Sequence, residues 1–241
     1  YLAGQATIPS DTACFPAKLS HGHIKALSQM ELDAIFYPCL TYNVDEGLGD
    51  NHYNCPVVAY YPELLAANVP ELKKTRFLDP YVGLWRRKDF TKRVAKMMEE
   101  DFSIPKSETK AAVQAGYEAY EAYEKDVRAT GMEYIQRARA EKLPIIVVCG
   151  RPYHIDPEIN HGINDLITSF GFTLVTEDAL SYLEGYAPRK VLNQWTFQSR
   201  MYNAARYVCT QPDMQVVQLV SFGCGTDAIT TDELRSILGS G

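Results

Sequence analysis

The sequence predicts an α/β fold with parallel sheets. Short apolar strand candidates alternate with helix candidates in the first hundred residues and again after residue 143, and this alternation is typical of parallel sheets. Between the two blocks, residues 106–141 contain no proline and are rich in Ala, Glu, Lys and Tyr, as expected of one long helix. We therefore predict two Rossmann-like lobes, over residues 1–105 and 143–241, joined by a helical connector over residues 106–142.

The first lobe contains three strand candidates and three helix candidates. Two helices are predicted from the prolines Pro16 and Pro56, because proline is favoured in the first helical turn. The third helix is the amphipathic segment 89–101. The strand candidates are short apolar runs at residues 6–8, 32–37 and 76–78.

The second lobe begins with the clearest strand of the chain, the apolar run of residues 145–148. Thr230 and Glu233 have the spacing of a capping box, which predicts that the last helix starts there. The remaining elements are predicted from apolar runs and their flanking turn residues. They are strands at 172–175 and 215–220 and helices at 157–170 and 193–210.

Composition excludes several classes of function. The 241 residues carry a net charge of −6 and a pI near 5.4, so no basic surface is available for nucleic acid. No apolar run is long enough to cross a bilayer, and the start at Tyr1 lacks a signal-peptide pattern. We expect a cytoplasmic segment of a longer protein, with reduced cysteines and no local zinc site.

Four cysteines are candidate metal ligands. Cys14, Cys39, Cys55 and Cys224 each fall at the carboxyl end of a predicted strand or at the start of a predicted helix. In open α/β sheets this edge binds ligands, and a helix N-terminus stabilises an anionic thiolate. Thiolates are the ligands of iron–sulfur clusters, so the pattern predicts a cluster of the [4Fe–4S] or a related type.

The other two cysteines and two histidines are weaker candidates for site residues. Cys149 also ends a strand and is a reserve ligand, whereas Cys209 is predicted to lie in the core. His21 and His23 are too close in sequence to share a helical face, so at most one should face a site.

A second candidate site consists of strand-end turns. Arg151 and His154 follow the first strand of the second lobe, and Thr12 lies in the loop before Cys14. Together or separately these side chains are candidates for binding the phosphate or carboxylate of a substrate, and the plain alternative is that they hydrogen-bond a loop.

Several motifs resemble those of the uncharacterised domain of acyl-CoA dehydratase activase-related proteins, which is similar to the iron–sulfur subunits of 2-hydroxyacyl-CoA dehydratases. They span nearly the whole chain. They are PSDTACFPAK at 9–18, HGH at 21–23, YNCP at 53–56, GRPYH at 150–154 and FGCG at 222–225.

The resemblance implies an electron-transfer or reductase module. An ATP-hydrolysing activase, carried in the same full-length chain, would supply the electron, and an acyl-CoA or other small molecule would receive it. Cys14, Cys39 and Cys55 carry over as the main ligands and Cys224 as the fourth. Two alternatives stay open: a metal-free domain that binds phosphate or carboxylate, and a regulatory domain that docks on the activase.

Overall fold

A computed structural model, which describes residues 1–189, 191–221 and 223–239, confirms the α/β class with parallel strands. Within these residues the α-helices are α1 (Phe15–Leu27), α2 (Pro56–Asn68), α3 (Arg87–Phe102), α4 (Lys106–Glu141), α5 (Pro157–Asn160), α6 (Ile163–Ser169), α7 (Thr196–Cys209) and α8 (Gly225–Gly239). The strands are β1 (Ile35–Phe36), β2 (Cys39–Leu40), β3 (Phe77–Leu78), β4 (Tyr81–Val82), β5 (Ile145–Cys149), β6 (Thr173–Thr176) and β7 (Met214–Gln218). Helices of the 3₁₀ type cover Leu2–Thr7, Pro70–Lys74, Pro152–Ile155, Glu177–Ala179 and Ser181–Leu183.

The chain folds into two compact units, and neither is continuous in sequence. The first unit comprises Tyr1–Asp45, His52–Trp85 and Val220–Ile229. The second comprises Glu46–Asn51, Arg86–Leu219 and Thr230–Gly241. The division into residues 1–105, 106–142 and 143–241 stays a prediction.

Short parallel strand pairs and two packed helices form the first unit. β1 pairs with β3 and β2 pairs with β4, each over two residues and each in parallel. The core consists of apolar side chains from α1, α2 and their flanking segments. It contains Ala17, Ile24, Ile35, Tyr61, Leu65, Val69 and Leu72.

A three-stranded parallel sheet in the order β6-β5-β7 organises the second unit. All five residues of β5 are buried, as expected of a central strand with both faces covered. Helices α4, α7 and α8 contribute core residues such as Ile135, Met201 and Leu234. Gly131 allows α4 to approach Ala179, because a Cβ at that position would overlap the alanine side chain.

Three predicted elements are wrong. Residues 6–8 are not a strand, since Leu2–Thr7 forms a 3₁₀-helix packed on α1. The predicted helix 157–170 is broken after α5, where His161 and Gly162 adopt the left-handed conformation. The capping box at Thr230 does not start the last helix, because α8 begins five residues earlier at Gly225.

Candidate functional site

Cys14 and Cys55 occupy equivalent positions at the starts of two helices. They directly precede α1 and α2, and their backbones are nearly identical, with φ of −64° and −62° and ψ of 157° in both. Their carbonyl oxygens accept the first helical hydrogen bonds, from the amides of Lys18 (3.1 Å) and Ala59 (3.0 Å). Because the first amides of a helix have no intrahelical acceptor, both thiols start beside N–H donors and the positive end of a helix dipole.

Cys224 precedes α8 in a similar way. The Asp227 amide donates to its carbonyl oxygen at 3.1 Å, and its Sγ lies 3.2 Å from the Thr226 hydroxyl. A Cβ placed on the preceding residue, Gly223, would lie 3.6 Å from the Cα of Cys14. The turn before α8 therefore lies against the loop before α1, and both belong to the first unit. Phe222 of the FGCG motif lies outside the described residues.

The pKa of Cys14 reports the proximity of the other two thiols. Burial raises this pKa above its usual value, the backbone amide of Ala17 lowers it, and the Cys55 and Cys224 thiols raise it further. All three cysteines are half-buried, and none of the six cysteines, all of which are described, forms a disulfide. The first unit thus brings together Cys14, Cys55 and Cys224.

Cys39 lies in a different environment. It is fully buried as the first residue of β2, in register with Tyr81. Burial raises its pKa, the Glu63 backbone lowers it, and the Asp79 and Glu63 carboxylates raise it. Glu63 is eight residues after Cys55, which corresponds to about 12 Å along the axis of α2. The role of Cys39 as a ligand stays a prediction.

Two tyrosines that the sequence did not single out line the cysteine site. Burial raises the pKa of Tyr61, and so does the nearby Cys14 thiol. Burial likewise raises the pKa of Tyr37, with Cys39 and Cys55 adding to the effect. Tyr61 sits on α2 six residues after Cys55, nearly two helical turns on, but the sequence offers no signal that separates a site tyrosine from a core one.

A buried histidine holds Tyr61 in place. His21 is fully buried, and its Nε2 lies 3.0 Å from the Tyr61 hydroxyl while its Nδ1 lies 2.8 Å from the Thr7 hydroxyl. His23, two residues later, is exposed, as the helical spacing predicts. His21 therefore positions a phenol close to the cysteines.

The described cysteines do not form a site for a single metal ion. Within the described residues, no group of three His, Cys, Asp or Glu side chains lies close enough together to hold one metal ion. A tetrahedral ion brings its thiolates to about 3.8 Å from one another, whereas a cluster places several irons and sulfides between them. Cys14, Cys55 and Cys224 are neighbours within the first unit, and a cluster bound to them stays a prediction.

Thr12 lies in an exposed turn next to the cysteines. Its hydroxyl is 2.8 Å from that of Ser10, and its amide donates to the Ser10 hydroxyl at 3.2 Å. The loop carbonyl of Asp11 accepts from Lys18 at 2.6 Å. These bonds shape the loop, and substrate binding by Thr12 stays a prediction.

The GRPYH turn forms a buried polar centre in the second unit. Arg151 and His154 are 8% and 6% exposed. The Arg151 amide donates to His154 Nδ1 at 2.9 Å, so the neutral ring carries its proton on Nε2. The turn thus presents a guanidinium and an imidazole N–H at the end of β5, and its role in substrate binding stays a prediction.

The remaining cysteines lie in the second unit. Cys149 ends β5, is fully buried, and has a pKa well above its usual value because of burial and the Glu177 carboxylate. The prediction that Cys209 lies in the core is wrong, because this residue ends α7 and is exposed. Its Sγ lies 3.5 Å from the Ile237 carbonyl oxygen.

The second unit also contains a buried acid that sequence reasoning missed. Glu177 follows β6 and is 8% exposed. Burial raises its pKa to about 8, with the Asp178 carboxylate adding to the effect, although the Gly150 amide and Arg200 oppose it. Nothing in the local sequence distinguishes this glutamate from an exposed one.

Comparison with known proteins gives one match. No curated protein and no solved structure matches the chain. Among the described residues, no helix is long and apolar enough to cross a membrane. The model of the CoA enzyme activase uncharacterised domain (DUF2229) matches residues 1–180, which include Cys14, Cys39 and Cys55 but not Cys224. Since this match covers most of the chain, the protein belongs to the family of the CoA enzyme activase uncharacterised domain.

Proposed function

We propose that this domain holds an iron–sulfur cluster on Cys14, Cys55 and Cys224 and accepts an electron from an ATP-hydrolysing activase. The observation that carries the proposal is that three cysteines lie near one another in one folded unit, each at the start of a different helix. An iron–sulfur cluster supplies one-electron chemistry at low potential when bound.

The helix starts supply N–H donors and the positive ends of helix dipoles, which stabilise thiolates and an anionic group bound to them. The backbone amides of three first turns point towards the cysteines, and the dipole of each helix favours negative charge there. Ala17, in the first turn of α1, already lowers the pKa of Cys14 in this way. In the absence of a cation, the Cys55 and Cys224 thiols raise the pKa of Cys14, and a bound cationic metal reverses that effect.

Three cysteines leave one ligand position for another group. The Tyr61 phenol, held by His21, is close enough to Cys14 to be affected by its charge, and it can donate a hydrogen bond to a thiolate or to a bound substrate. Under this proposal, the substrate is an acyl-CoA or another small molecule that receives the electron, and Cys39 is a core residue.

Anaerobic reconstitution tests the cluster. Iron and acid-labile sulfide are measured together with an electron paramagnetic resonance spectrum in the native chain and in a Cys14→Ala, Cys55→Ala double variant. The native chain is expected to hold stoichiometric iron and sulfide, and the double variant to lose both. Cys209→Ala, which removes an exposed thiol, serves as the matched control and should keep full iron content.

Two single variants test the choice of ligands. Cys224→Ala is expected to lower cluster content strongly, and Cys39→Ala to leave it unchanged as long as circular dichroism shows a folded chain. Loss of the cluster in Cys39→Ala with retention in Cys224→Ala would overturn the proposed ligand set. A folded native chain without iron would overturn the cluster itself.

The electron donor is tested separately. The reconstituted, oxidised chain is mixed with a reduced activase module, with and without MgATP, and the reduced signal is followed by electron paramagnetic resonance. Reduction that requires both activase and ATP is expected. Equal reduction without ATP would contradict the proposed partner while leaving the cluster in place.

A further inference from the structure

Helices α3 and α4 form an antiparallel pair within the second unit. Only residues 103–105 separate the end of α3 at Phe102 from the start of α4 at Lys106, and the two helices pack against one another. Away from this turn, the rings of Phe90 on α3 and Tyr117 on α4 pack edge to face, with their centroids 5.9 Å apart. The helices therefore lie side by side over about three turns of α3.

A basic groove of about 670 Å³ lies along this helix pair. Both helices contribute to its lining, which consists of nine described residues. None of these nine is acidic, and six are basic. The basic residues are Arg87, Lys88, Lys92, Lys96, Lys106 and Lys110.

The lysines form two rows, one on each helix. Lys88, Lys92 and Lys96 follow one another at intervals of four residues on α3, and Lys106 and Lys110 have the same spacing on α4. Residues four apart lie on the same face of a helix, about 6 Å apart along its axis. The longer row therefore spreads its positive charge over roughly 12 Å.

Half of the six cations have no acidic partner. Three form ion pairs with acids outside the groove lining: Arg87 with Glu121, Lys96 with Glu100 at 3.7 Å, and Lys106 with Glu99 at 2.6 Å. Among the described residues, no ion-pair partner exists for the other three, Lys88, Lys92 and Lys110. The groove thus concentrates positive charge locally on a chain whose net charge is −6.

The dimensions of the groove favour a small ligand over a protein partner. Ligand pockets have volumes of about 300–1,000 Å³, and this groove falls within that range. A stable protein interface takes roughly 20–30 residues from each partner, far more than the nine that line the groove. The small side chain of Ala95, which is 1% exposed, also lines it and leaves room between the lysine rows.

We propose that the groove between α3 and α4 binds a small ligand that carries a chain of phosphate groups. A terminal phosphate carries about −1.5 to −2 charges at pH 7, so a phosphate chain brings high negative charge to the two lysine rows. Ammonium groups bind phosphates as point charges, which suits exposed lysines. The phosphate chain can belong to a nucleotide or to an inorganic polyphosphate.

Calorimetric titration of the metal-free native chain at constant ionic strength tests the proposal. Tripolyphosphate and citrate are titrated separately, because both are small polyanions and only the first has phosphate groups. Saturable binding of tripolyphosphate is expected, roughly tenfold or more tighter than that of citrate. Adenosine triphosphate is titrated in parallel: tighter binding than tripolyphosphate identifies a nucleotide, equal or weaker binding identifies the phosphate chain alone, and both results support the proposal.

A pair of double variants makes the test specific to the groove. Lys92→Gln with Lys110→Gln removes one lysine without an acidic partner from each helix, and both positions are exposed, so the chain should fold normally. Its affinity for tripolyphosphate should fall by roughly tenfold to a hundredfold, because charge-assisted contacts are lost. Lys125→Gln with Lys142→Gln removes two exposed lysines outside the groove and should bind as the native chain does.

Three results would overturn the site. They are the absence of saturable tripolyphosphate binding, citrate binding of equal strength, and an equal loss of affinity in the two double variants. Tighter binding of a polyglutamate peptide than of tripolyphosphate would also overturn it, in favour of an acidic protein partner.

The result is independent of the cysteine site, because the titration uses metal-free protein and the variants change residues of the second unit. Iron content after reconstitution is expected to be the same in the Lys92→Gln, Lys110→Gln variant and in the native chain, so failure of one proposal does not imply failure of the other.

Discussion

Replacing Glu177 with glutamine is expected to remove a pH-dependent loss of stability from the second unit. Glu177 is buried, and its pKa in the folded chain is about 8, against a usual value of 4.5. Between these two pH values the folded state keeps a proton that the unfolded state releases. The free energy of unfolding therefore falls as pH rises from about 4.5 to about 8.

The size of this effect follows from the pKa. Each tenfold change in proton affinity corresponds to about 1.4 kcal/mol, so a rise from 4.5 to about 8 is worth on the order of 5 kcal/mol. Near pH 5 a neutral glutamic acid and a glutamine of the same shape should give similar stabilities. At pH 8 the Glu177→Gln chain should be more stable than the native chain by a few kcal/mol.

Urea unfolding followed by tryptophan fluorescence measures the difference. The chain has two tryptophans, Trp85 and Trp195, so a Trp85→Phe background lets Trp195, in the second unit, report alone. Glu133→Gln, at an exposed position on α4, is the control and should follow the native pH dependence. Parallel curves for the Glu177→Gln and native chains from pH 5 to pH 8 would refute the reasoning.

Two further predictions concern stability. Gly131→Ala should lower the free energy of unfolding by about 1–3 kcal/mol, because α4 packs closely against Ala179 at that point. Gly116→Ala on the same helix has open space around it and should raise the free energy of unfolding by up to about 1 kcal/mol. Equal effects of the two substitutions in urea unfolding would contradict the close contact at Gly131. Glu46→Gln should cost on the order of 3 kcal/mol, because it leaves Arg200, whose side chain is only 11% exposed, without its main carboxylate, which accepts from Nε at 2.9 and 3.0 Å. The exposed Glu141→Gln should cost less than about 0.5 kcal/mol, and a similar cost for both would show that the Glu46–Arg200 pair has no special weight.

Elements with a strong local pattern were predicted well from the sequence. The helix expected at 106–141 forms as α4 (Lys106–Glu141) with the same ends, because it has no helix breaker inside and Pro105 directly before it. The apolar run at 145–148 became β5. In both cases local preference and tertiary packing favour the same conformation.

Other elements depend on contacts that are distant in sequence. β2 and β4 have two residues each and exist only because they pair with one another, so no local pattern marks them. Residues 6–8 have the apolar and β-branched composition of a strand, but packing on α1 favours a 3₁₀-helix.

The positions of two cysteines at helix starts could be predicted from the sequence, whereas the choice of ligands stays a prediction. The helix starts at Cys14 and Cys55 followed from the prolines, and the structure places Cys224 near them. Cys39 follows a proline instead of preceding one, and it is the fully buried first residue of β2. Which thiols lie near one another depends on the tertiary fold.

The discontinuity of the first unit imposes an order on its synthesis. Cys14 and Cys55 leave the ribosome long before Cys224, which belongs to the same unit. At 5–20 residues per second, the interval between Cys55 and Cys224 is roughly ten to thirty seconds. During that time a nascent chain exposes two cysteines whose proposed third partner has not been made. Under the proposed function, the cluster is completed only after Cys224 has emerged, and oxygen or a stray metal can reach the early thiols first.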